Sequence, residues 1–94
     1  MRTYDIVLIT QPDLDEASVT ALVDKVKTWL GEANAVVESV DIWGKRRLAY
    51  TIKKHREGIY ILFKAQMPPT FCTTLERNLR LTESVIRFLI TLVE

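Results

Sequence analysis

The side chains with the most chemistry in this chain are cations crowded into a short window. Lys45, Arg46 and Arg47 follow Trp43-Gly44 and precede Leu48-Ala49-Tyr50, and Lys53, Lys54, His55 and Arg56 come a few positions later. Guanidinium groups grip phosphate oxygens bidentately, and aromatic rings such as Trp43 and Tyr50 stack on bases or sugars. The pattern therefore points to a polyanion. The competing explanation is a solvated edge strand whose charges discourage strand addition. That explanation accounts for any one of Lys45, Arg46 and Arg47, and less well for the four further basic residues across the turn and the flanking Trp43 and Tyr50. The charge is organised rather than abundant, since the formal net charge is only +1. Residues 1–42 hold three cations against eight acids, a sum of −5; residues 43–94 hold ten cations against four acids, a sum of +6. One face can therefore meet a polyanion while the rest of the molecule stays hydrated.

Catalysis finds little to work with. His55 is the only histidine, it lies within the basic stretch, and no nucleophile stands in an obvious pairing with it. Cys72 falls in the first turn of an expected helix, where it reads as a small core residue rather than a thiolate. No Cys/His spacing matches a metal site, and Gly31, Gly44 and Gly58 are too dispersed to cradle a phosphate. No catalytic residue, metal or cofactor is expected. Asp13, Asp15 and Glu16 are explained by capping a helix N-terminus.

The elements that carry these residues follow from periodicity. Tyr4 to Thr10 reads as a strand, closed by Gln11-Pro12-Asp13. Asp15 then caps a helix whose apolar stripe is Val19, Leu22, Val23, Val26, Trp29 and Leu30, and Gly31 is expected to end it. Val36 to Trp43 is a second strand that continues through Tyr50 and Ile52, with Gly44 as a bulge or a bend. Glu57-Gly58 is expected to close the turn into a third strand, Ile59 to Met67, which Pro68-Pro69 stops. Thr70 is the expected cap of a short helix presenting Phe71, Leu75 and Leu79, and Val85 to Val93 is the last strand. The order β-α-β-β-α-β predicts one α+β domain over residues 1–94. It is a ferredoxin-like split βαβ sandwich, with a four-stranded antiparallel sheet and both helices on one face. Right-handed crossovers centre the first and third strands and leave the second at an edge.

Alternation assigns the faces. Ile6, Leu8, Ile61, Phe63, Phe88 and Ile90 should point at the helices, and Val7, Ile9, Tyr60, Leu62, Arg87 and Leu89 away from them. That open face is apolar enough to dock a macromolecule. No apolar run reaches the roughly 20 residues a bilayer span needs, and Met1 to Asp5 lacks a signal-peptide core. A lone cysteine fits a reducing compartment. The expectation is cytoplasmic, and it is also compatible with an organelle after removal of a transit peptide.

Three separated segments resemble one family along essentially the full chain: the sixth protein of the bacterial small ribosomal subunit. They are Met1-Arg2-Thr3-Tyr4-Asp5-Ile6-Val7, then Trp43 to Tyr50 continued by Glu57-Gly58-Ile59-Tyr60, and Glu83-Ser84-Val85-Ile86-Arg87. The resemblance implies a non-enzymatic structural protein. It would bind small-subunit ribosomal RNA in the central (platform) region as a heterodimer with the eighteenth small-subunit protein. Thr51 stands where many relatives carry Pro, and the chain ends at Glu94 where relatives often carry a further polar or acidic tail. Within that frame, Arg2, Tyr4, Lys53, Lys54, Arg56, Arg80 and Arg87 are the RNA candidates. Arg2, Arg80 and Arg87 are expected near strand ends on the central part of the sheet. The edge strand with Val40, Asp41, Ile42, Trp43, Lys45, Arg46 and Arg47 is assigned to the protein partner, because unpaired backbone groups favour docking there. The rival is a small-molecule-sensing regulatory module of the same fold, which would need a pocket with convergent polar groups. An acylphosphatase-like enzyme would need a phosphate-cradling loop where this chain has Gln11-Pro12-Asp13.

Overall fold

Alternating apolar residues in the strands and apolar stripes in the helices meet in a single layer between sheet and helices. The computed structural model describes residues 1–93. Its elements are β1 (Arg2–Thr10), α1 (Glu16–Glu32), β2 (Val36–Ile52), β3 (His55–Met67), α2 (Phe71–Arg80) and β4 (Val85–Leu92). All neighbouring strands pair antiparallel in the order β2-β3-β1-β4, so β1 and β3 are central and β2 is an edge, as expected. Tyr4, Ile6 and Leu8 of β1 and Ile61, Phe63 and Met67 of β3 face Val19, Leu22, Val26 and Leu30 of α1 and Leu75 and Leu79 of α2. Each such side chain contributes about 1.5–3 kcal/mol by leaving water. Phe88 and Ile90 pack on this core from β4.

The helix ends are built partly as expected. Asp15 caps α1, its Oδ1 accepting from the Ser18 backbone N–H at 2.8 Å. Gly31 does not end the helix; it lies in the last turn, and the left-handed residue is Asn34, at φ 59°. Ala35 N–H donates to the Leu30 carbonyl at 2.9 Å and Asn34 N–H to that of Gly31 at 3.0 Å, the paired bonds of a Schellman closure. Asparagine tolerates that conformation, so the glycine is not needed there. Thr70 sits at the start of α2 but makes no side-chain cap, because its backbone is already helical (φ −66°, ψ −20°). The carbonyls of Pro68 and Pro69 instead accept from Phe71 and Cys72 at 3.0 and 3.2 Å. Trp29 is half-buried at the margin of the α1 stripe, with Lys25 Nζ 5.5 Å from its ring centre.

The β2–β3 hairpin departs most from expectation. Its turn is Lys53-Lys54, between paired Ile52 and His55, not Glu57-Gly58. Both lysines have positive φ, 49° and 70°, as a two-residue type I′ turn demands. Gly58 lies inside β3, opposite Arg46, and is buried. A Cβ there would sit 2.5 Å from Ile9 Cγ2 and 3.0 Å from the Thr10 carbonyl oxygen, so close approach to β1, not turning, requires the glycine. Gly44 does mark a bulge: the register slips between Ile42 and Gly44, and Gly44 has φ 86°. A larger slip follows between Arg47 and Ile52, where residues 48–51 of β2 span the single Arg56 of β3. That excess folds Leu48 onto the open face, where it buries Ile9 together with Ile86. Ile9 faces away from the helices as expected, yet it belongs to this second, smaller core.

Candidate interface for nucleic acid and protein

β2 and β3 together place the cations. The 17-residue β2 pairs on one side only, so its outer row of backbone N–H and C=O groups is free along the sheet edge. Asp41, Ile42, Trp43, Lys45, Arg46 and Arg47 are exposed along it, and Val40 is half-buried. Trp43 is held flat on the open face. Its ring stacks on Tyr60 with centroids 6.1 Å apart and planes 12° from parallel, and its Nε1 donates to Asp41 Oδ2 at 3.0 Å. Arg46 lies over the same ring at 5.3 Å. Trp43, one of the two aromatics read from the sequence, is therefore already engaged by this chain's own side chains, yet it stays 44% exposed.

Lys53, Lys54 and Arg56 are exposed at the hairpin tip. Arg87 lies on the open face, where Nη1 donates to the Tyr50 hydroxyl and the guanidinium covers the Tyr50 ring at 6.0 Å. These two residues flank an apolar hollow of about 240 Å³ lined by Ile9, Leu48, Tyr60 and Leu89. Arg80 closes α2 and lies over Phe88 at 5.9 Å, beside the sheet rather than on its open face.

Two expectations are corrected by this placement. Arg2 opens the central strand β1, as expected, but Arg80 ends α2 and Arg87 lies on β4, so these two are not at strand ends on the central part of the sheet. β4 is an edge, and Arg87 pairs beside Ile9, at the opposite end of β1 from Arg2. Seven strand residues separate those ends, about 23 Å. Tyr4 offers no ring to RNA, since it is only 8% exposed within the main core. Burial, with the Cys72 thiol beside it, pushes its phenol pKa upward. The signal was available, because Tyr4 shares strand parity with Ile6 and Leu8. Asp5, half-buried on the open face, is a residue that sequence reasoning did not single out. Its Oδ1 is buried with no hydrogen-bond partner among the described residues. Nor are there three or more His, Cys, Asp or Glu side chains grouped to hold a metal among those residues, and no helix is long and apolar enough to cross a membrane.

Among the described residues a four-stranded sheet carries a long basic edge hairpin and packs against two helices, and the family model described as Ribosomal protein S6 matches residues 3–91 of the chain. The chain belongs to the ribosomal protein S6 family. It is 40% identical over 94 residues to small ribosomal subunit protein bS6 of Moorella thermoacetica, covering all of this chain and 96% of that protein. It is 46% identical over 90 residues to the bS6 of Symbiobacterium thermophilum, covering 96% and 95%. The crystal structure of 30S ribosomal protein S6 from Thermotoga maritima superposes with a TM-score of 0.91 at 29% identity, over 98% of this chain and 87% of that one. Members of the S6 family are non-enzymatic structural constituents of the small ribosomal subunit. The ferredoxin-like S6 fold accounts for the element order and sheet topology described above.

Proposed function

We propose that this chain binds small-subunit ribosomal RNA in the central (platform) region as a heterodimer with the eighteenth small-subunit protein, in the cytoplasm. The observation that carries the reading is the open β2 edge, a 17-residue strand with one unpaired side and charged and aromatic side chains along it. An unpaired edge of that length accepts a partner's backbone or side chains, and the exposed residues from Val40 to Arg47 supply selectivity. The open face beside it supports coverage on assembly. Leu89 is 56% exposed there. Arg2, Lys53, Lys54, Arg56, Arg80 and Arg87 are exposed and are assigned here to RNA phosphate.

With a net charge of +1 and a sum of −5 over residues 1–42, the chain alone has little long-range attraction for RNA. A partner bringing its own cations supplies the rest. Co-purification from cells at low salt followed by sedimentation tests the assignment. The chain is expected with the small subunit; a free protein carrying a bound metabolite would overturn the reading in favour of a small-molecule-sensing module.

A further inference from the structure

The turn at the end of the β2–β3 hairpin is built from the wrong residues for its geometry. A type I′ turn needs positive φ at both central positions and is ordinarily made by Asn-Gly or Asp-Gly. Here Lys53 and Lys54 adopt φ 49° and 70°, a conformation that side chains bearing a Cβ resist. Two adjacent ammonium groups also repel each other, which adds to the disadvantage. Nothing in the packing offsets this, because both side chains are exposed. Just behind the turn, at the slip in β2, lies a surface hollow of about 260 Å³ whose lining includes Arg47, Tyr50 and Arg56, with Glu57 paired opposite Arg47. From Arg47 to Glu57 the hairpin end carries four cations and one acid.

We propose that this tip is a phosphate clamp for the RNA backbone, with Arg47 and Arg56 gripping one phosphate across the hollow and Lys53 and Lys54 reaching the next. Charge at the tip is thus held against local conformational preference. Arg47 thereby moves from the protein-partner edge to the RNA side, while Lys45 and Arg46 remain with the partner. The clamp rests on the proposed RNA-binding reading and names which of the scattered cations form one site.

The test replaces Lys53-Lys54 by Asn-Gly in the full chain and measures melting temperature, affinity for the partner protein, and heterodimer binding to a central-domain ribosomal RNA fragment across salt concentrations. Relief of the turn raises Tm by roughly 4–8 °C. Loss of two phosphate contacts lowers the magnitude of the log–log salt slope by roughly 1.4–1.8, which is about 25- to 60-fold in affinity at 0.1 M salt. Lys53→Arg with Lys54→Arg keeps both slope and Tm near wild type. Arg47→Gln with Arg56→Gln flattens the slope without raising Tm. A more stable Asn-Gly variant with unchanged RNA binding overturns the clamp while leaving the RNA-binding reading intact. An equal loss of partner affinity at unchanged slope also overturns it, and places the tip on the protein. Failure of the wild-type heterodimer to bind the fragment removes the RNA-binding reading itself.

Discussion

Replacing Gly58 by Ala puts a methyl group where β3 passes closest to β1. The added Cβ stands 2.5 Å from Ile9 Cγ2 and 3.0 Å from the Thr10 carbonyl oxygen. Carbon atoms in contact prefer about 3.5–4.0 Å, so Ile9 must retreat by about 1 Å or more. The Thr10 oxygen belongs to the backbone of a central strand and has little freedom to follow. Overpacking of this kind costs about 1–3 kcal/mol. The substitution also reduces the freedom of the unfolded chain, which returns about 0.4–1 kcal/mol. The steric cost wins, and a net loss near 1.5 kcal/mol corresponds to a Tm lower by about 6–12 °C for a domain of this size. Urea titration followed by tryptophan fluorescence measures it. Adding Ile9→Ala removes Cγ2, and the double mutant should show a favourable coupling of about 0.5–3 kcal/mol. An alanine variant as stable as wild type, or a pair that is simply additive, would refute the close approach of β3 to β1.

Leu75→Ala, at a site with no exposure between α2 and the sheet, should cost about 2–5 kcal/mol in the same titration. A loss below ~1 kcal/mol would mean that α2 presents another face. Lys45→Ala with Arg46→Ala should weaken binding to the partner protein and leave the RNA salt slope unchanged; a slope flatter by roughly 0.7–0.9 per residue would transfer them to RNA. The bond from the Ser18 backbone N–H holds the Asp15 carboxyl below its ordinary value. A lowered folded-state pKa stabilises the fold above the ordinary carboxylate value near 4, and the gain fades as pH falls through the folded value. Thermal melts from about pH 5 to 2 should therefore show a shallower acid loss for Asp15→Asn than for wild type.

Most of the fold was legible because its signals are local and repeated. Val19, Leu22, Val23, Val26 and Leu30 recur at helical spacing, and Ile6/Leu8 and Ile61/Phe63 alternate, so element order and inner faces follow. The misses share a cause: a residue's usual habit was overridden by its neighbours. Gly31 and Gly58 carry no turn, whereas Asn34, Lys53 and Lys54 take the left-handed conformations usually reserved for glycine. Thr70 makes no cap because its backbone is already helical, and the carbonyls of the two prolines before it serve as acceptors instead. The basic character of the interface was visible in Lys45 to Arg56, but its internal engagements were not. The contacts of Trp43 with Tyr60 and Arg46, and the placement of Arg87 over Tyr50, depend on the register slips in β2. A three-residue excess in one strand leaves no signature in alternation.

The most direct test of cooperative RNA binding is a titration of labelled central-domain ribosomal RNA at physiological salt, with and without the eighteenth small-subunit protein. A chain with net charge +1, few cations free to reach phosphate at once, and an acidic first half gains little against the entropy lost on association. Weak binding alone and tight binding of the heterodimer is the expected result. Nanomolar binding by this chain alone would contradict it and make the protein a self-sufficient RNA binder.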